Sequence, residues 1–274
     1  YYDGAGAIRD MVQNHMLQLL CLIAMEPPSA LDAQAIRDEK VKVLRSLDPM
    51  SADEAAAFTL RGQYSSGQDP DGQAVKSYQE EEGVRPGSVT ESYVALRVDI
   101  ENWRWAGVPF FLRTGKRLRQ RVSEIAVHFK RPPLHLFGQL DSHPDFCLIS
   151  ERPVSNTLVL RIQPDEGISL SFACKQPGMQ LRLNQVRMDF VYGEAFSERS
   201  PEAYERLLLD ALRGDASLFT RSDEVDYAWR YVTSILDAWK ELQAPKLPSY
   251  APFSDGPEEA AKLMRGTQAQ WRAL

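Results

Sequence analysis

The sequence predicts an α+β protein: a large, mainly antiparallel sheet with helices packed on one face. Three observations lead there. Helical apolar patterns fill the stretch up to Leu47, strand patterns follow one another from Tyr93 to Tyr192, and helical patterns return after Ser200. The strands are joined by short, turn-rich connections, which suit antiparallel pairing better than crossover units. Helix runs segregated from strand runs define the α+β class.

Each element follows from local chemistry. Ala7 to Met25 reads as a helix with Ile8, Met11, Val12, Leu19, Leu22 and Ile23 as its apolar positions, stopped by Pro27-Pro28. Asp32 to Leu47 reads as a second, with charges on one face and Ile36, Val43, Leu44 and Leu47 on the other. Asp53 to Ala57 is too short to assign, and Phe58 to Tyr64 turns towards strand. Residues 65–90, rich in Gly, Ser, Gln and Asp, read as a surface loop. Strand patterns then cover Tyr93 to Ile100, Phe110 to Arg113, Glu124 to Lys130, Thr157 to Gln163, Ile168 to Cys174 and Val186 to Tyr192, with Pro132 to Pro153 irregular. Pro201 opens a helix closing near Gly214, and Ser222 opens another that runs to Leu242. Helices on one face leave the sheet's other face open, and an apolar open face marks an association surface. A homodimer through the sheet is therefore expected.

Bulk composition narrows the function classes. A net charge of −6 over 274 residues argues against a general nucleic-acid surface, though not against a local cationic pocket. Cys21, Cys147 and Cys174 are far apart, with no CxxC pair, so reduced and mostly buried thiols are expected rather than a metal site or disulfides. Residues 1–10 lack a signal-peptide pattern, and the apolar run Leu19 to Met25 is too short to cross a bilayer. A cytoplasmic protein, without metal or membrane contact, is expected.

Two clusters carry chemistry. The first helix holds Arg9, Asp10, Gln13, Asn14, His15 and Gln18 among apolar residues. At about 100° per residue, Asp10, Asn14, Gln18 and Cys21 share a stripe, with His15 about 140° from Asp10. A lone histidine is more often structural, but imidazole beside carboxylate can take a proton from a hydroxyl near neutral pH. The second cluster places five cations in nine residues: Arg113, Lys116, Arg117, Arg119 and Arg121. Such density in an acidic chain suggests an anion, most simply a phosphate, although a solvated basic loop explains the composition equally well. Gln163 ends a strand and by itself is only a terminus. Gly4-Ala-Gly6 is no dinucleotide motif, because Arg9 holds the third glycine position and no strand precedes it.

These residues sit within longer familiar runs. Tyr1-Tyr-Asp-Gly, Ile8-Arg-Asp-Met-Val-Gln-Asn-His15, Arg61-Gly-Gln-Tyr64, Asn102-Trp-Arg-Trp-Ala-Gly-Val-Pro-Phe110, Leu112-Arg-Thr-Gly-Lys116, Arg161-Ile-Gln-Pro164 and Pro201-Glu-Ala-Tyr-Glu-Arg206 resemble the carboxy-terminal domain of glucose-6-phosphate dehydrogenases, in the family's order and over nearly the whole chain. The resemblance implies NADP-dependent oxidation of glucose 6-phosphate to 6-phosphogluconolactone, the first step of the pentose phosphate pathway. It implies His15 as general base, Asp10 and Lys116 as contacts to the sugar, Arg121 near the phosphate, and Gln163 as a further substrate contact. The whole chain, residues 1–274, would then be the catalytic and dimerisation domain. The family's nucleotide-binding domain and its Asp-His-Tyr-Leu-Gly-Lys segment do not occur here, so NADP would be held mainly outside this chain. An isolated fragment of that kind is expected to be inactive. Ser169 and Ser171 stand where forms with a second, structural NADP carry tyrosine and lysine, so no cofactor-binding residue is assigned. A natural, non-catalytic module that dimerises or binds sugar phosphates is the alternative.

Overall fold

The computed structural model describes residues 1–131, 155–178, 183–196, 203–242, 247–267 and 269–273. The expected start of a helix at Ser200-Pro201 and the expected irregular stretch 132–153 lie outside them, as do His135, His143 and Cys147. The chain divides into two compact units, Tyr1–Gln120 with Pro201–Gly266, and Arg121–Ser200 with Thr267–Leu274.

In the first unit the chain opens with helix α1 (Tyr2–Ala7), which breaks at Gly6 (φ 72°, ψ 170°). It restarts as a π-wound segment, Ile8–Met16, and continues as α2 (Leu17–Ala24). Met25 is already extended, two residues before the prolines. Helix α3 (Ala33–Arg45) starts on Asp32, whose carboxylate accepts the Ala35 N–H at 2.9 Å. The stretch too short to assign from sequence is helix α4 (Ala52–Phe58), closed by a reciprocal cap between Ser51 and Glu54.

Strands β1 (Thr59–Tyr64), β4 (Tyr93–Val98) and β5 (Phe110–Gly115) pair antiparallel, and β10 (Ser249–Tyr250) joins β1 in parallel. Between them the 65–90 stretch holds a two-stranded ribbon, β2 (Gly67–Gln68) with β3 (Ala74–Val75), and a 3₁₀ turn at Tyr78–Glu80. Val94, Leu96, Val98 and Ile100, at the alternating positions of β4 and its continuation, are at most 1% exposed. They pack with Ile8, Val12, Leu17, Leu20 and Cys21 of the first helices and with Tyr231, Val232, Ile235 and Trp239 of α7 (Ser222–Glu241). Each such burial stabilises by about 1.5–3 kcal/mol relative to exposure, which explains why the helix of the first cluster is held against the sheet. Helix α6 (Ala203–Arg213) precedes α7.

The second unit is one antiparallel sheet in the order β6 (Ser123–His128), β7 (Thr157–Gln163), β8 (Gly167–Lys175), β9 (Leu183–Val191), followed by the short α5 (Tyr192–Ala195). The expected mixture of helix and antiparallel sheet is thus observed, with the strands shared between two four-stranded sheets, one in each unit. The chain leaves the first sheet after Gly115. Arg117 takes a left-handed turn (φ 52°), and its carbonyl accepts the Phe253 N–H at 2.7 Å while the Arg119 N–H reaches the Ser254 carbonyl at 2.9 Å. Cys21 is buried, and burial pushes its thiol up to about 12. Cys174 is exposed, contrary to the expectation of mostly buried thiols, because β8 runs on past its last β7 partner at Ser171 and there pairs with β9, Cys174 opposite Asn184. Among the described residues no helix is long and apolar enough to cross a membrane.

Candidate active site

The winding of the first helix decides how its polar residues are arranged. Segment Ile8–Met16 is bonded i→i+5, ending with the Leu17 N–H on the Val12 carbonyl. In an α-helix His15 would lie about 140° from Asp10. The wider π turn narrows that angle, so His15 lies closer to the side of the helix that carries Asp10 than α winding would put it. This corrects the stripe drawn at 100° per residue. The core anchors Ile8, Val12 and Leu17 point inward, and Asn14 and His15 are left exposed.

Asp10 is half-buried and has two partners. Its Oδ1 accepts the Tyr1 hydroxyl at 3.2 Å, which pushes that phenol up through the hydrogen bond to a carboxylate. Its Oδ2 lies 3.9 Å from Lys116 Nζ. The Lys116 ammonium also stands 4.8 Å from the centre of the Tyr2 ring, a cation–π contact that holds it over the start of the first helix. Lys116 itself is set by the backbone: its N–H donates to the Ser92 carbonyl at 2.8 Å, and its carbonyl accepts the Tyr250 hydroxyl at 2.7 Å. Gly115 is needed beside it, since a Cβ there would meet the Tyr93 ring at 2.8 Å.

The cationic cluster is less free than its density suggests. Arg113 reaches the Asp255 carbonyl at 3.5 Å, Arg117 donates to Glu81 at 3.0 Å and lies 5.5 Å from the Tyr64 ring centre, and Arg119 pairs with Asp255 at 3.4 Å. Of the five cations, three therefore have acceptors in their own unit, and Lys116 reaches Asp10. Arg121 is exposed and belongs to the second unit, as does Gln163, also exposed, opposite Ser123 at the end of β7. Asp10, on the helix that also carries His15, and Lys116 are thus brought together in the first unit, while Arg121 opens the second unit and Gln163 ends β7. Sequence reasoning did not find Tyr2, Ser92 or Tyr250. None carries a local signal, because each acts through a residue at least 24 positions away, as Ser92 does on Lys116.

A helix that carries an imidazole and a carboxylate, with an ammonium from a strand end 3.9 Å from that carboxylate, offers groups that can accept a hydroxyl proton and hydrogen-bond hydroxyl groups, on an α+β scaffold. The comparisons with known proteins are more specific. Residues 1–272 match the family model for the glucose-6-phosphate dehydrogenase C-terminal domain, and the chain belongs to that family. It is 48% identical over 272 residues to a glucose-6-phosphate 1-dehydrogenase of Aggregatibacter actinomycetemcomitans and 47% identical to one of Mycolicibacterium smegmatis, covering 99% of this chain and 52% of each relative. A solved glucose-6-phosphate dehydrogenase in complex with its substrate glucose-6-phosphate superposes with a TM-score of 0.84 at 35% identity, over 99% of this chain and 52% of that one. A glucose-6-phosphate 1-dehydrogenase from Mycobacterium avium gives 0.78 at 36% identity, over 100% and 52%. The chain spans about half the length of the relatives it matches.

The NADP that the family implies finds no pyrophosphate site at the one glycine pair of this helix. Gly6 faces the Glu91 carboxylate so closely that a Cβ would collide with it, and an anion there would meet a carboxylate rather than free N–H groups.

Proposed function

We propose that this chain is the catalytic and dimer-forming C-terminal part of an NADP-dependent glucose-6-phosphate dehydrogenase, oxidising D-glucose 6-phosphate to 6-phospho-D-glucono-1,5-lactone. The observation that carries the reading is the approach of Lys116 to Asp10 on the helix of His15, in a chain that matches the family over residues 1–272. His15, exposed on the helix that carries Asp10, takes the proton of the C1 hydroxyl as the C1 hydride departs, so that no protonated carbonyl forms. Asp10 accepts a sugar hydroxyl, and Lys116 donates to the sugar. The family resemblance assigns Arg121 to the substrate phosphate and Gln163 to a further substrate contact. The hydride acceptor is held mainly by residues outside this chain. The domain boundaries 1–274, a cytoplasmic location and a place at the head of the pentose phosphate pathway belong to the same reading.

The test is His15→Asn in the full-length protein. The expected result is a fall in kcat of about two to four orders of magnitude with KM for glucose 6-phosphate comparatively unchanged. A near-normal kcat would remove His15 from the role of base.

A further inference from the structure

We propose that Glu91 is a positioning residue that anchors the start of the helix carrying Asp10 and His15 and ties it to Lys116; the proposal rests on the reading of His15 as the base. Glu91 is only 4% exposed, although it is a carboxylate that neither Asp10 nor Lys116 uses. It lies just ahead of β4 and folds under the break at Gly6. There the π-wound segment begins as a new helix, and its first N–H groups have no partner within it. Glu91 accepts from two N–H groups at this junction. Its carbonyl accepts the Ala7 N–H at 3.0 Å, and its Oε1 accepts the N–H of fully buried Ile8 at 3.0 Å. The same carbonyl accepts the Tyr2 hydroxyl at 3.3 Å, and Tyr2 is the ring beneath Lys116.

The fit is made by both residues. With any side chain at Gly6, a Cβ would collide with the Glu91 carboxylate, so the break in the helix and the carboxylate fill one another's space. Burial pushes the Glu91 carboxyl up, while the Ile8 N–H and the nearby guanidinium groups of Arg61 and Arg9 favour its charged form. The next residue completes the link: the Ser92 carbonyl holds the Lys116 N–H at 2.8 Å. Adjacent peptide units thus fix the base-bearing helix on one side and the sugar-contacting lysine on the other. The 3.9 Å approach of Lys116 to Asp10 is set through them.

The experiment compares Glu91→Ala, Glu91→Asp and Glu91→Gln in the full-length protein. It reads steady-state kinetics well below each melting temperature, and amide hydrogen exchange over residues 8–12. Glu91→Ala removes the acceptor and should accelerate exchange there at least about tenfold. It should lower kcat by about a hundredfold, the cost of a displacement near 1 Å, with a smaller change in KM. Glu91→Asp, one methylene too short, should show both effects in weaker form. Glu91→Gln keeps the acceptor and should recover both protection and rate. Unchanged exchange in the first two variants overturns the anchoring, and loosened exchange with an unchanged kcat overturns the positioning role. Should Glu91→Ala fail to fold, Glu91→Asp decides on the same two readouts. Exchange does not depend on the reaction. A normal rate in His15→Asn with loosened exchange in Glu91→Asp would therefore count against the base and leave the anchor standing.

Discussion

Asp3 shows what a single carboxylate contributes. It accepts the Tyr78 hydroxyl at 3.0 Å, the Ser88 hydroxyl, and the Arg85 side chain and backbone N–H at 3.0 and 3.3 Å. The Ser88 hydrogen bond first, with Arg85 and Tyr78 after it, holds its carboxyl well below the ordinary value of 3.8. A depressed folded value means that this stabilisation is present above the unfolded value and is lost as pH falls through and below about 4. Thermal unfolding followed from pH 6 to pH 2 should therefore be less acid-sensitive in Asp3→Asn, which is already weaker at pH 6. Parallel curves for the two proteins would show that Asp3 contributes nothing through its charge. The residue types at the site were legible at this scale: Asp10, His15 and Lys116 stood out as polar groups in apolar or acidic surroundings. Glu91 did not, because nothing in Thr-Glu-Ser-Tyr says that its side chain turns back under Gly6.

Between elements, α3 and α7 are joined by an ion pair with almost no solvent. Lys40 Nζ lies 2.6 Å from Glu224 Oε2, with side-chain exposures of 9% and 0%. The other carboxylate oxygen accepts the Arg221 N–H at 3.0 Å at the start of α7, and the Arg221 guanidinium bridges to Asp38 on α3 at 2.7 Å. Removing one partner of such a pair leaves a buried charge uncompensated. Lys40→Met should thus cost about 3–5 kcal/mol of unfolding free energy, measured by urea denaturation. A loss below about 1 kcal/mol would mark the pair as a solvated surface contact. Element boundaries were read well where prolines and caps punctuate the chain, as at Pro27-Pro28 and Asp32. The π winding of Ile8–Met16 was not legible, since the same apolar residues satisfy an α-helical pattern, and the break at Gly6 that precedes it depends on Glu91, far along the sequence.

For the whole molecule, the sheet of the second unit bears on assembly. Cross-strand partners Leu160, Ile168 and Phe190, and likewise Leu158, Leu170 and Met188, place one apolar row after another on a single face. Ile168, Met188 and Phe190 remain 39, 62 and 37% exposed. The homodimer expected from the sequence would bury this face. Met188→Asp would place a charge in its centre, and sedimentation velocity at micromolar concentration should then give monomer where the parent gives dimer. A monomeric parent would reject the assembly.

The sequence by itself determined the class of fold, most element positions, the family and the polar residue types, because these follow from local periodicity, punctuation and motif. Only the tertiary structure decided which of the five cations meets the helix of His15, and that Arg113, Arg117 and Arg119 are drawn to other acceptors. It alone set Glu91 beneath Gly6. The physical reason is common to all of these. They are contacts between residues tens of positions apart, made when apolar burial brings the first helices onto β4, and no local pattern encodes a partner at that distance.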